Sequence, residues 1–187
     1  MSQNRSHTYE SFARVFSYPW NGEKGEITAA LERIAAACPE EAETLSALRE
    51  FVDEATEQRL QELYTHTFEI HPLCYLDVGY VLFGEDYKRG QFLVHLNREH
   101  EKVQNRCGTE LADHLPNLLR LLPKLREEGL AAELGRIFVI PAVEKMLPSF
   151  KEKGNVYGGA LQALSRFLQR EFPGELGGLE VPEGAAS

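Results

Sequence analysis

Three ionisable side chains lie close together in the stretch GTELADHLPNLLRLL, residues 108–122. Glu110, Asp113 and His114 are residue types that transfer protons, hold metal ions or bind basic groups. A histidine next to a fixed carboxylate can also hold a proton near neutral pH or bind a peptide backbone. These three residues are therefore the first candidates for a functional site.

Helix capping competes with this interpretation for one of the three. A leucine-rich amphipathic segment begins directly after Asp113, whose carboxylate can accept the free backbone N–H groups of a first helical turn. Pro116 then falls in that turn, where its missing N–H is not needed. The sequence favours capping for Asp113 and leaves Glu110 and His114 without a structural explanation.

The other histidines do not predict a metal site. His66 and His71 are five positions apart, and so are His95 and His100. On a helix this spacing rotates the second side chain by about 140° from the first, so neither pair faces one ion. His100 lies on an apolar stripe, which favours a hydrogen-bonded histidine in the core. We predict no metal ligands.

Motifs of nucleophilic catalysis and phosphate binding are absent from the sequence. It contains no GxSxG, and its three cysteines form no CxxC pair. The glycines in KGNVYGGALQ lack the lysine and the spacing of a P-loop. These patterns indicate no class of enzyme.

The composition is typical of a globular protein with an excess of acidic residues. The 187 residues are 43% hydrophobic, and 29 acidic side chains outnumber 20 basic ones, giving a net charge of −9. This charge repels phosphate backbones and suits a basic partner, such as an arginine-bearing peptide. With no signal-peptide pattern and no apolar run of about 18 residues, we expect a cytoplasmic protein.

Apolar residues recur at helical spacing along most of the chain, which predicts an all-α, single-domain bundle of short helices. The segment LCYLDVGYVLFGED is rich in aromatic and β-branched residues, but it has no partner strand in view, so a short buried helix is expected. We predict a helical domain over residues 1–172. The glycine- and proline-rich residues 173–187 are expected to form a flexible tail.

An ordered set of short motifs extends over nearly the whole chain. It comprises LQELYTHTFEIHPL, then Gly84-Glu85, Arg89-Gly90-Gln91, Val94 and Leu96, then Glu110-Leu111 and Asp113-His114-Leu115-Pro116, and finally KGNVYGGALQAL. With these motifs the chain resembles the NarJ/TorD/DmsD family of molybdoenzyme-specific chaperones, and most closely its NarJ branch, which serves nitrate reductase assembly. Ala112 departs from the pattern, since the family usually has a proline there.

The resemblance implies a TorD-like or NarJ-like helical chaperone without catalytic turnover. Such proteins bind the N-terminal segment, a twin-arginine signal peptide or its remnant, of an apo molybdoenzyme catalytic subunit. They hold the subunit for insertion of molybdopterin guanine dinucleotide, a cofactor that the client carries and the chaperone does not. The resemblance assigns Glu110, Asp113 and His114 as polar anchors and Leu115 and Pro116 as a wall. The rest of the groove is assigned to Tyr64, Phe68, Tyr80, Phe83, Arg89 and Phe92.

Other interpretations stay open at this stage. Core packing explains each aromatic residue, and it is favoured for Tyr64 and Phe68. Arg89 is expected to bind a neighbouring carboxylate within the fold. A small helical metal-dependent hydrolase that uses Glu110, Asp113 and His114 is the alternative function, and a helical adaptor with an acidic surface is a third. The sequence leaves open which client is bound, whether the protein is a monomer or a homodimer, and whether it contacts the cofactor or a guanine nucleotide.

Overall fold

The computed structural model describes residues 3–127, 129–151 and 154–174, and these residues form an all-α bundle, as predicted. The α-helices within them are α1 (Gln3–Val15), α2 (Lys24–Ala37), α3 (Ser46–Glu54), α4 (Glu57–Phe68), α5 (Val78–Phe83), α6 (Tyr87–Lys102), α7 (Leu115–Leu121), α8 (Leu130–Glu133), α9 (Ile140–Met146) and α10 (Tyr157–Glu171). Short 3₁₀ turns follow α2, α7 and α9. The ambiguous segment LCYLDVGYVLFGED contains α5, so the expectation of a short helix is confirmed.

Local sequence sets several of the helix ends. Thr56 accepts a hydrogen bond from the backbone N–H of Arg59 at the start of α4. Asp86 accepts one from the N–H of Lys88, at 2.9 Å, at the start of α6. Gly84 ends α5 with a φ of +64°, a conformation that residues with a Cβ rarely adopt. The turn between α5 and α6 is therefore fixed by the residues that compose it.

The core is built around α1, which packs against α2 and α7. Phe12 of α1 and Phe16, which directly follows α1, are fully buried. Tyr9, on the same face of α1, lies edge-on against Phe167 of α10 with 5.0 Å between the ring centroids. Each buried leucine, isoleucine or phenylalanine contributes about 1.5–3 kcal/mol before chain entropy is subtracted. The helical stripes seen in the sequence are thus the stripes that form the core.

The glycine pair in KGNVYGGALQAL allows close packing of α10. A Cβ on Gly159 would lie 2.1 Å from the backbone oxygen of Thr44, and one on Gly158 would lie 3.0 Å from Cβ of Phe150. Neither glycine can carry a side chain without displacing its neighbour. The glycine pair of KGNVYGGALQ, a stretch without the features of a P-loop, is therefore explained by close helix packing.

A π-helix joins α8 to α9. The sequence predicts a helix from Leu130 that is kinked at Pro141 and ends near Pro148. The structure has a π-helix at Leu134–Val139, directly before α9, and a 3₁₀ turn at Leu147–Phe150. The wider π turn gives the proline ring room against the carbonyl four residues earlier. The helix therefore changes from π-helical to α-helical geometry just before Pro141.

Two further observations concern expectations from the sequence. No helix among the described residues is long and apolar enough to cross a membrane. The predicted tail begins at Pro173, and its residues 175–187 lie outside the described part of the chain.

Candidate functional site

Two extended segments meet at the N-terminal end of α5. The backbone N–H of Val78 donates to the carbonyl of Asp113, and the N–H of Leu115 donates to the carbonyl of Leu76, both at 2.9 Å. Asp77 and His114 thereby form an isolated antiparallel bridge. Successive side chains of an extended segment point to opposite sides. The bridge therefore directs Asp113 and His114 to different faces of the molecule.

Asp113 points into the protein, where it forms an ion pair with Arg89. The carboxylate is fully buried and accepts hydrogen bonds from Arg89 Nε at 2.9 Å and from Arg89 Nη2 at 3.4 Å. A Cβ on Gly79 would lie 2.6 Å from Asp113 Oδ2, so the glycine leaves space for this carboxylate. A buried carboxylate needs a partner of opposite charge. The expectation that Arg89 binds a carboxylate within the fold is confirmed.

The capping prediction for Asp113 is wrong. Helix α7 begins at Leu115, its N-cap residue is His114, and no side chain of the N-cap residue bonds to the first turn. Asp113 lies one position too early, and its carboxylate is bound to Arg89 instead. The anchoring role of Asp113 on a bound peptide stays a prediction, and in the unbound protein its carboxylate is fully buried.

His114 points the other way, into a cavity, and only 9% of it is exposed. Burial, and to a smaller extent the charge of Arg120, lowers the pKa of the imidazole to about 4. The ring is therefore neutral near pH 7. The sequence allowed the neighbouring carboxylate to hold a proton on His114 near neutral pH or His114 to bind a peptide backbone. The first possibility is wrong, because the two side chains face away from each other.

The cavity has a volume of about 420 Å³ and we call it the aromatic cavity. Its walls come from the loop after α1, the end of α4, the segment before α5 and the loop before α7. The residues lining it are Arg14, Ser17, Tyr18, Trp20, Tyr64, Phe68, Glu69, Tyr75, Leu76, Asp77, Cys107, Gly108, Thr109, Glu110, His114, Pro116, Asn117 and Arg120. Five of the predicted site residues are among them, namely Glu110, His114, Pro116, Tyr64 and Phe68.

The aromatic residues of this cavity differ in depth. Tyr64 and Phe68 are buried, as favoured from the sequence, and the Tyr64 hydroxyl donates to the carbonyl of Phe16 at 3.1 Å. Trp20 and Tyr75 lie at the mouth and are 64% and 43% exposed. Large exposed aromatic side chains at a cavity mouth offer flat faces on which a cationic group can bind.

The charges in the aromatic cavity favour a cation. Arg14 is paired with Glu23, and Arg120 with Glu10 at 3.0 Å, so both arginines have carboxylate partners outside the cavity lining. The lining also carries three carboxylates, those of Glu69, Asp77 and Glu110. Burial, together with the charges of Asp113 and Glu110, outweighs Arg89 and raises the pKa of Asp77 to about 6. Excess negative charge in a cavity attracts a basic group.

A second recess lies at the other end of α5, and we call it the apolar groove. It has a volume of about 490 Å³. Its lining residues come from the end of α5, from α6, from the loop after α7 and from α8 with the π-helix. They are Phe83, Tyr87, Lys88, Gln91, Phe92, His95, Leu96, Glu99, Leu125, Leu130, Glu133, Leu134 and Phe138. The rings of Phe92 and Phe138 stack at 4.7 Å, and Phe83 meets Phe92 at 5.9 Å. Phe83 and Phe92 are the predicted site residues found here.

The remaining predicted site residues line neither recess. Leu115 is fully buried in the core. Tyr80 is half-buried on α5, with its ring 4.7 Å from that of Tyr75 and with Arg89 lying 5.3 Å from its centre. The sequence therefore predicts one groove where the structure has two recesses, which α5 and the Arg89–Asp113 pair separate.

The loop before α7 is held by buried side chains. His100 Nε2 donates to the carbonyl of Ala112 at 3.0 Å, and Asn105 donates to His100 Nδ1 at 2.9 Å. Asn117 donates to the carbonyls of Cys107 and Leu111. The expectation of a core histidine at position 100 is confirmed. These hydrogen bonds hold the loop in place. Its residue Ala112 stands where the family that the chain resembles usually has a proline.

Several residues of the two recesses were not among the predicted site residues. Trp20, Glu69, Tyr75 and Asp77 belong to the aromatic cavity, and Phe138 to the groove. Proline-containing loops place Trp20 and Tyr75, and no periodicity indicates where such loops fold. Leu130, Leu134 and Phe138 recur at helical spacing in the sequence, and this pattern is the signal that could place Phe138 in the groove.

The structure separates the three side chains that the hydrolase alternative requires to act together. Glu110 and His114 line the aromatic cavity, whereas Asp113 faces Arg89 behind it. Within the described residues, no group of three or more histidine, cysteine, aspartate or glutamate side chains is placed to hold a metal ion.

Comparison with known proteins gives a likeness of fold. No protein-family model matches the chain, and no curated protein matches it. A solved structure from Archaeoglobus fulgidus, described as a "putative redox enzyme maturation protein", is similar with a TM-score of 0.59 and 19% sequence identity. The match covers 90% of this chain and 96% of that one. The fold is therefore shared over nearly the full length of both proteins.

Proposed function

We propose that this protein is a cytoplasmic chaperone of a molybdoenzyme. In this proposal it binds the N-terminal, arginine-bearing segment of the apo catalytic subunit and holds the subunit until the molybdenum cofactor is inserted. The client carries the cofactor, and the chaperone catalyses no reaction. The sequence motifs favour a nitrate reductase-type client, and the fold of the Archaeoglobus protein described as a redox enzyme maturation protein supports the general role.

The observation that carries the proposal is the pair of unlike recesses at the two ends of α5. A leader of this type has a basic part and an apolar part. The aromatic cavity, with Glu69, Asp77 and Glu110 in its lining, suits the basic part. The apolar groove, with Phe83, Phe92 and other apolar side chains, suits leucine or phenylalanine side chains.

The two recesses are close enough for one short segment. Helix α5 has six residues, which corresponds to a length of about 9 Å. Asp77 directly precedes it and lines the cavity, while Phe83 is its last residue and lines the groove. A peptide bound across α5 can therefore place its arginine in one recess and its apolar side chains in the other. Binding in this mode produces a complex of one peptide with one chaperone.

The two recesses are expected to contribute differently to the free energy of peptide binding. Exposed arginine–carboxylate pairs contribute only about 0–1 kcal/mol each. Burying apolar surface contributes about 25 cal/mol per Å². The groove is thus expected to supply most of the affinity, while the cavity fixes the register and the direction of the peptide.

Calorimetry with a synthetic leader tests the proposal. The leader carries two consecutive arginines followed by an apolar stretch, and we expect one-to-one binding. Phe92→Gln in the groove should weaken binding more than tenfold. Val94→Gln is the matched control, because Val94 lies on the same helix, is 51% exposed and does not line the groove. Circular dichroism checks that both variants keep their helical content.

A second pair of variants tests the cavity. Glu110→Gln should weaken binding of the leader several-fold and should reduce the preference for arginine over citrulline at the basic positions. Glu101→Gln is the control, since Glu101 is exposed on α6 and lines neither recess. Unchanged binding in both Phe92→Gln and Glu110→Gln would contradict the proposed function.

A further inference from the structure

Asp77 is a half-buried carboxylate whose nearest cation is already bound elsewhere. Its side chain is 28% exposed and lines the aromatic cavity. Arg89 Nη2 lies 3.7 Å from Asp77 Oδ2, which is too long for a hydrogen bond. The same guanidinium makes two hydrogen bonds to Asp113, at 2.9 and 3.4 Å. Arg89 is thus largely neutralised by Asp113, and Asp77 keeps negative charge to offer to the cavity.

His114 gives a second, independent indication that the cavity takes a ligand. Its side chain is about nine-tenths buried and lines the cavity beside Asp77. Among the described residues, hydrogen bonds are found for the backbone of His114 but not for its ring, and the ring nitrogens are not among the fully enclosed polar atoms left without a partner, so they are open to the cavity. A neutral imidazole keeps one acceptor nitrogen, which a ligand with N–H donors in the cavity would satisfy.

The charged and titratable groups around Asp77 come from several elements. They are Arg89 of α6, Asp113 and His114 before α7, Glu110 of the preceding loop, Glu69 after α4, Arg14 of α1 and Arg120 of α7. Arg14 and Arg120 have carboxylate partners of their own. The carboxylates nearest to Asp77 oppose its ionisation, and a bound cation would reverse that effect.

We propose that Asp77 selects a guanidinium group in the aromatic cavity and that binding of the cation displaces a proton from its carboxyl group. This inference deepens the proposed function and rests on it where the guanidinium belongs to the client's leader. The guanidinium donates to the Asp77 carboxylate and to a ring nitrogen of His114, and its plane lies against Tyr75 or Trp20. A guanidinium presents several N–H donors in one plane, which an ammonium group cannot do.

The proton balance is simple. The pKa of about 6 leaves Asp77 partly protonated near pH 6 and ionised near pH 8. The guanidinium binds the ionised form, so the proton of the neutral carboxyl group passes to the buffer. At pH 6, roughly half a proton should be released for each cation bound, and at pH 8 almost none.

Calorimetry in buffers with different heats of ionisation measures this release directly. The probes are capped arginine, with blocked amino and carboxyl groups, at millimolar concentration, and the synthetic leader. Capped citrulline, which has nearly the same shape without the charge, is the ligand control and should not bind. The expected result is binding of both arginine-bearing probes, with proton release at pH 6 that disappears at pH 8.

Variants test whether the proton released on cation binding comes from Asp77. Asp77→Asn should abolish the proton release and weaken binding of capped arginine about tenfold at pH 8. Glu101→Gln, on the exposed face of α6, should change neither quantity. Circular dichroism checks that Asp77→Asn is folded, and the pH profile separates loss of the carboxyl group from a purely structural effect.

The outcomes separate the two proposals. Proton-linked binding of capped arginine without binding of the leader would support the role of Asp77 and contradict the proposed function. Binding of the leader without proton release at pH 6, or with full release in Asp77→Asn, would overturn the role of Asp77 and leave the proposed function standing. Failure of both probes to bind would overturn both.

Discussion

The aromatic cavity and the apolar groove lie at opposite ends of the same short helix and are built in different ways. Loops and helix ends form the cavity, and its lining includes Asp77, Glu110 and the buried ring of His114. Helix faces form the groove, where phenylalanine and leucine side chains dominate the lining. The cavity is organised by electrostatics and the groove by packing. Under the proposed function, this difference would let the cavity set the direction of a bound peptide and the groove supply most of its affinity.

Arg89 and Asp113 separate the two recesses. Arg89 comes from α6, which forms a wall of the groove, and its guanidinium lies behind the cavity between two carboxylates. Gly79 leaves the space in which Asp113 and Phe92 approach each other. Variants at this partition should have the largest effects, because they disturb both recesses at once.

The largest expected effect is that of Arg89→Met. Removing the guanidinium leaves the fully buried carboxylate of Asp113 without a partner, which typically costs about 3–5 kcal/mol. The free energy of unfolding, measured by urea denaturation, should fall by that amount. The second substitution Asp113→Asn should restore part of it, since an amide is cheaper to bury than a charge.

Arg120→Met is the control for this prediction. Arg120 binds Glu10 at 3.0 Å, but the glutamate side chain is 56% exposed. Exposed pairs contribute about 0–1 kcal/mol, so this variant should lose little stability. Equal losses in the free energy of unfolding of Arg89→Met and Arg120→Met would mean that the Arg89–Asp113 pair stabilises the protein no more than a surface ion pair does.

A methyl group at Gly79 should have the next largest effect. Its Cβ would lie 2.6 Å from Asp113 Oδ2 and 3.1 Å from a ring carbon of Phe92. Overpacking of this kind costs about 1–3 kcal/mol, and Gly79→Ala should show it in urea denaturation. Gly90→Ala in α6 is the matched change, because nothing lies within 4 Å of the added Cβ. This second variant should gain up to about 1 kcal/mol.

Asp77→Asn should stabilise the protein at neutral pH while it weakens cation binding. The pKa of this carboxyl group is raised from 3.8 to about 6, so the folded state favours the neutral form. Its contribution to stability is fully present below pH 3.8 and is lost as the pH rises through 6. We expect Asp77→Asn to be about 1–2 kcal/mol more stable than the natural protein at pH 7.5, since 28% exposure moderates the effect.

The difference between the two proteins should shrink as the pH falls. Denaturation at pH 7.5 and at pH 4.5 measures it, and the other titrating groups cancel in the comparison. A destabilised Asp77→Asn at pH 7.5 would show that the weak contact of Asp77 with Arg89 matters more than the desolvation of its carboxylate. A gain in stability together with a loss of binding is typical of a residue kept for function.

Salt should have the smallest effect and should act on one recess alone. Contacts between a basic leader and Glu69 or Glu110, both exposed, are screened when the Debye length shortens from about 10 Å at 0.1 M to about 3 Å at 1 M. Apolar contacts in the groove are not screened. Between 0.1 and 1 M salt, Phe92→Gln and the unsubstituted protein should therefore lose affinity for the leader by the same factor, whereas Glu110→Gln should lose less. A salt dependence that changes in Phe92→Gln would mean that the recesses do not divide charge and packing.

Helical periodicity predicts the fold well because each helix buries its own stripe. The apolar stripes of α1, α4 and α10 and the buried His100 follow from sequence spacing, and the short helix α5 follows from the lack of a partner strand. The structure confirms all of them. The structure also confirms that Arg89 binds a carboxylate within the fold. The fold similarity to the Archaeoglobus protein agrees with the expected all-α fold.

The candidate site follows from the sequence only in part. Glu110 and His114 do share one cavity, and Phe83 and Phe92 share the groove. The helix-capping role predicted for Asp113 was wrong, because capping depends on the position at which α7 begins. That position is set by the bridge between Asp77 and His114, which joins segments far apart in the chain.

The sequence by itself determined an all-α bundle, its core stripes and the residue types available at the candidate site. Only the tertiary structure decided that Asp113 faces inward, that Asp77 and Trp20 join the cavity, and that one expected groove is two recesses. The physical reason is that helix periodicity is a local property of neighbouring residues. The direction of a side chain in an extended segment, and the charge that surrounds it, depend on contacts with distant parts of the chain.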